Sequence, residues 1–95
     1  MSYVLIVRMK AQEGNEEQAA QVMAELAASS LEEPGCEAYV PCREAEDPRS
    51  FAIFERYRDQ AAFEEHGRTE HFQRLGVGEL FPLMESRERV FFETV

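Results

Sequence analysis

The spacing of apolar and polar positions divides this chain into alternating strands and helices. From Tyr3 to Ala11 a β-branched run, Val4-Leu5-Ile6-Val7, gives way to Arg8 and Lys10 alternating with Met9 and Ala11, which predicts a strand. Gly14-Asn15 ends it. Asn15 is suited to cap a helix, with Gln18 three positions on as a capping box requires and Glu16 and Glu17 at the positive end. Ala19, Val22, Met23, Leu26, Ala27 and Leu31 then recur at helical spacing, and Pro34-Gly35 closes the segment. Cys36 to Arg43 alternates again: Cys36, Ala38, Val40 and Cys42 are expected on one face, and Pro41 points to an edge or a bulge. After the polar connection Glu44 to Arg49, Phe51 to Tyr57 reads as a third strand, antiparallel to the second. Asp59 caps a short helix reaching His66, where Gly67 interrupts it. Thr69 opens a further helix to about Met84, and Arg89 to Val95 forms the last strand.

The order β-α-β-β-α-β is the split ferredoxin-like arrangement: an α+β fold with a four-stranded antiparallel sheet and both helical segments on one face. The first strand is apolar on both sides, Tyr3, Leu5 and Val7 against Val4 and Ile6. One side meets the helices; the other needs a second cover, so a two-fold homodimer is expected.

Length changes this picture little. Ninety-five residues suit one domain, 1–95. No apolar run approaches the roughly 18 residues of a membrane span, and no secretory leader is visible at the start, so a cytoplasmic protein is expected. Charge excludes more. Nineteen acidic residues against ten basic ones give a net charge of -9, and Lys10 is the one lysine. Nucleic acid and anionic membranes, both met by clustered basic residues, are therefore not expected partners. Cys36 and Cys42 lie too far apart along one strand for a disulfide and read as free, buried or half-buried thiols.

No glycine-rich phosphate loop, zinc-finger cysteine spacing or nucleophile elbow is present, and no metal is expected. The chemistry concentrates in Ala62-Phe63-Glu64-Glu65-His66 and His71-Phe72, which hold both histidines of the chain beside two aromatic rings. Histidine titrates nearest neutrality, and this grouping points to a pocket beneath the helix break.

Those segments, with Tyr3-Val4-Leu5-Ile6-Val7, Gly14, Glu33-Pro34-Gly35-Cys36, Glu46-Asp47-Pro48 and Phe51-Ala52-Ile53-Phe54-Glu55-Arg56-Tyr57, carry a likeness over essentially the whole chain. It resembles the antibiotic biosynthesis monooxygenase family, the quinol-monooxygenase-like proteins of the dimeric α+β barrel superfamily. The resemblance implies a dimer whose two sheets face each other in a barrel, and a small pocket between sheet and helices. Several family members oxidise phenols, anthrones or quinols with molecular oxygen and no metal or flavin. Haem-cleaving relatives need an asparagine late in the first strand, where this chain has Val7, so haem cleavage is not expected.

The reaction so implied is cofactor-independent oxygenation of a small aromatic molecule. His66 matches the family's helix-two histidine and would take a phenolic proton as general base. His71 would accept or donate a hydrogen bond, and Tyr57, where many relatives carry tryptophan, would orient a phenol or quinone oxygen. Tyr39, Phe63 and Phe72 would line the pocket, and Arg8 or Arg56 would face a developing oxyanion if turned inward. Each has an ordinary structural alternative, as a capping histidine, a core aromatic or a solvated strand arginine. Two other functions stay open on the same scaffold: a non-catalytic ligand-binding or stress-response dimer, and an isomerase of a small signal molecule.

Overall fold

The computed structural model describes residues 1–95. Its elements are β1 (Tyr3–Ala11), α1 (Glu16–Ser30), β2 (Cys36–Arg43), β3 (Ser50–Tyr57), α2 (Gln60–Arg68), a π-helical segment (Phe72–Leu80), a 3₁₀ turn (Phe81–Leu83) and β4 (Met84–Glu93). The four strands form one antiparallel sheet in the order β2-β3-β1-β4. Alternation dictates its two faces. Leu5, Val7, Met9, Phe51, Ile53 and Tyr57 point toward the helices and bury with Val22, Met23 and Leu26 of α1. No helix is long and apolar enough to cross a membrane.

The expected barrel is not formed. The sheet is open, with β2 and β4 as its two edges. Four strands are too few to curl round and hydrogen-bond first to last, since closed barrels need more strands and a fixed stagger. The ferredoxin-like sheet with helices on one face is present; barrel closure is not.

Other departures are local. Asn15 makes no side-chain cap to α1; the Gly14 N–H is instead bonded by Glu16 Oε1 at 2.8 Å, and Gly14 has φ 90°. On β2 the register shifts between Cys36 and Ala38. A bulge adds one residue and exchanges the faces beyond it, so Cys36 and Tyr39 are both buried while Val40 and Cys42 are exposed. Helix α2 runs past Gly67 to Arg68, capped by Asp59, whose carboxylate accepts from the Ala62 N–H at 2.8 Å. The second helical stretch winds as a π-helix, where Phe72 lies over Gly76: a Cβ there would meet its ring at 3.0 Å. Strand β4 starts at Met84, five residues before the expected Arg89.

Candidate functional site

A cavity of about 340 Å³ lies between the inner face of the sheet and the helices. β1 supplies Leu5, Val7 and Met9, and β3 supplies Ile53 and Glu55. Phe63 and His66 come from α2, and Phe72, Leu80 and Phe81 from the π-helical segment and the turn after it. Two inward residues of β4, Arg87 and Arg89, complete the wall. The π-helical segment borders this space through Phe72 and Leu80.

His66 is buried, with 2% of its surface exposed. Its Nδ1 stands 2.9 Å from Glu33 Oε2, and His71 Nε2 stands 2.5 Å from the same oxygen. A carboxylate only accepts, so Glu33 holds a proton on His66 Nδ1 and leaves Nε2 as the lone-pair nitrogen. Nε2 has no protein partner and is not sealed off by its neighbours. Burial lowers the His66 pKa, the bond to Glu33 opposes that, and His71 adds to it. The result is a neutral imidazole, oriented from behind and open in front. Aromatic rings fix its plane: Phe72, Tyr57 and Tyr39 have centroids 4.9, 5.3 and 5.8 Å from the imidazole.

A second titratable group shares the cavity. Glu55 is buried on β3 and accepts from the Tyr57 hydroxyl at 2.6 Å. Desolvation raises its pKa to about 7, which the Tyr57 bond and Arg89 only partly offset. The Tyr57 pKa is raised too, by burial and by Glu55 beside it.

The residues singled out in the sequence are distributed as follows. His66, Phe63, Phe72 and Tyr39 line the cavity. Tyr57 packs behind the wall with its hydroxyl committed to Glu55. His71 stands behind His66 and reaches it through Glu33. Arg8 is exposed in a surface groove with Lys10 and Glu88, away from the cavity, and Arg56 pairs with Glu37 at 2.9 Å. Glu33 and Glu55 do not stand out in the sequence as site residues. Glu33 lies 33 residues from His66, beyond any local pattern, and Glu55 is visible only as a charge at an inward position of an apolar strand. Glu33, His66 and His71 also offer three ligand atoms, all within 4.8 Å of one another, that could hold a metal ion.

An α+β sheet protein with a small, largely apolar cavity and a carboxylate-held histidine on its wall is the class defined here. The sequence profile described as "Antibiotic biosynthesis monooxygenase" matches residues 2–75, and the chain belongs to that family. Among solved structures it is similar to PA3566 from Pseudomonas aeruginosa, at 30% identity and TM-score 0.91 over 99% of this chain and 94% of that one. A protein whose structure is titled antibiotic biosynthesis monooxygenase is 26% identical, TM-score 0.90, over 98% of each chain. Rv0793 from Mycobacterium tuberculosis, at 18% identity, shares the fold with TM-score 0.90 over 100% of this chain and 96% of that one. No curated protein matches.

Proposed function

We propose that the chain is a cofactor-independent monooxygenase of a small phenol or quinol, with His66 as its base. The observation that carries this is the Glu33–His66 pair, whose free Nε2 stands at a largely apolar cavity. Nε2 accepts the phenolic proton, and Glu33 stabilises the imidazolium that forms. The electron-rich phenolate then reduces oxygen. For a simple phenol, one oxygen atom enters the ring to give a quinone and the other leaves as water with two substrate hydrogens. The substrate supplies the electrons, so the balance requires no outside reductant. Family membership supports oxygenation as the reaction type.

The test is oxygen uptake with a panel of quinols, naphthols and anthrones, with chelator present. Uptake above background is expected, with a loss of about 10²- to 10⁴-fold in His66→Ala. Equal rates in the two proteins would remove His66 as the base, and no uptake across the panel would remove the reaction. A second reading, a binding dimer without chemistry, is favoured by the Tyr57 hydroxyl being occupied by Glu55. It predicts thermal stabilisation by the same aromatics with no product.

The partner we propose on the outer face is a second copy of the chain. Val40, Phe54, Val90 and Phe92 are exposed there, paired strand to strand through Ile6 and Val4. Contiguous exposed apolar residues across a whole sheet mark an interface.

A further inference from the structure

We infer that the substrate of this site is an aromatic acid, whose anionic group is held at the cavity mouth by Arg87 and Arg89. The inference rests on the phenol reading above and names the class of phenol. It begins with the ion pairs. Seven basic side chains, Lys10, Arg43, Arg49, Arg56, Arg58, Arg68 and Arg74, are each paired with a carboxylate. In a chain with nearly twice as many acids as bases, that is the expected fate of an arginine. Only Arg8, Arg87 and Arg89 are unpaired, and two of these three line the same cavity.

Neither Arg87 nor Arg89 donates a side-chain hydrogen bond to the protein, so all the N–H donors of both guanidinium groups are free. Both groups are nevertheless positioned. The Arg87 Cζ lies 3.6 Å from the centroid of Phe81, and the Arg89 Cζ lies 5.1 Å from that of Phe91. Each ring favours the cation above it, and a guanidinium whose N–H donors are free suits two-pronged contact with a carboxylate. The residues are two apart on one strand, so their side chains leave the same face about 7 Å apart.

They also stand where a ligand would need them. A second hollow of about 360 Å³ adjoins the first and shares Val7, Phe72, Phe81, Arg87 and Arg89 with it. Glu88 is its one acidic wall residue. The inner cavity is largely apolar, with His66 and Glu55 on its wall, and the outer hollow is cationic. An elongated ligand with an aromatic body and a charged end matches both. Its ring would fill the inner cavity with the phenolic oxygen toward His66, and its anion would lie at β4. Carboxylate and phosphate share this chemistry. A second copy on the outer face of the sheet would leave the inner-facing arginines free.

The experiment uses the full chain and isothermal titration with three probes: 2-naphthol, 6-hydroxy-2-naphthoic acid and the corresponding naphthol phosphate monoester. The acid or the phosphate should bind at least tenfold more tightly than 2-naphthol, and the ratio between them tells the two anions apart. In Arg87→Gln/Arg89→Gln the anion-to-naphthol ratio should fall to near one, with circular dichroism confirming the fold. Should the variant fail to fold, raising salt from about 20 to 300 mM should shrink the wild-type ratio by screening. Equal affinities for all three probes, no binding of the anions, or a ratio indifferent to both variant and salt would overturn the inference. Oxygen uptake is read separately. Tight anion binding without uptake would defeat the oxygenase reading and leave the anion site standing, and uptake without anion preference would do the reverse.

Discussion

At the residue scale the site is a set of buried ionisable groups whose surroundings divide their roles. His66 is made neutral by burial and oriented by Glu33. Replacing Glu33 with Gln keeps the shape but removes the charge that stabilises the imidazolium. We expect kcat to fall on the order of 100-fold. The acid limb of the rate profile should also move to lower pH, because Glu33 is the influence that raises the His66 pKa. A fall in kcat with an unmoved limb would mean that Glu33 acts only as packing. Glu55 affects stability with the opposite sign. Its pKa is raised from 4.5 to about 7 in the fold, so between those values the native state holds a proton the unfolded chain has released. Stability therefore falls as pH rises through this window, with a full cost on the order of 3 kcal/mol above it. Glu55→Gln removes the ionisable group while keeping an acceptor for Tyr57. Its gain over the parent in urea unfolding should be larger at pH 8 than at pH 4.5. A gain independent of pH would show that Glu55 does not ionise with a shifted pKa.

At the scale of elements, the loop before β2 and helix α2 are in closer contact than any other side chain than glycine at position 35 would permit. A Cβ on Gly35 would stand 2.5 Å from the Ala62 Cβ, and the Gly35 carbonyl accepts from the Arg58 N–H at 2.8 Å. Gly35→Ala should therefore push α2 outward and cost about 1–3 kcal/mol in chemical denaturation. Adding Ala62→Gly should recover part of it, whereas independent losses in the double variant would contradict the contact. Elements such as these were legible in the sequence where the pattern was local and apolar. β1, α1 and β3 stand within a residue or so of where alternation and helical spacing put them. β4 was not legible along its first half, because Glu85-Ser86-Arg87-Glu88-Arg89 carries no apolar alternation and its inward positions are the arginines of the cavity mouth. The π winding was hidden as well. Gly76 and Gly78 weaken a helical reading without saying which wider helix replaces it. Of the site, His66 and its aromatic neighbours were visible as a cluster. Glu33 was not, since only the tertiary fold brings it to both histidines.

At the scale of the whole molecule, the two faces of the sheet have different fates. The inner face is covered by helices and holds the cavity. The outer face leaves Val40, Phe54, Val90 and Phe92 in solvent, at 48, 39, 55 and 46% exposure. Phe54 is central to that patch, paired with Ile6 on one side and Val40 on the other. If a second copy covers the face, a charge at Phe54 would be buried twice in a two-fold pair, against its own symmetry mate or close to it, and an unpaired buried charge is strongly unfavourable. Phe54→Asp should therefore shift sedimentation from a dimer to a monomer near 10.9 kDa at micromolar concentration. As a monomer the variant should stay folded, because Phe54 is not part of the core. It should also retain binding of an aromatic ligand, since the cavity and both mouth arginines lie on the opposite face. A parent protein that sediments as a monomer would leave the outer face without this partner. A dimer unaffected by Phe54→Asp would place the contact elsewhere on the surface.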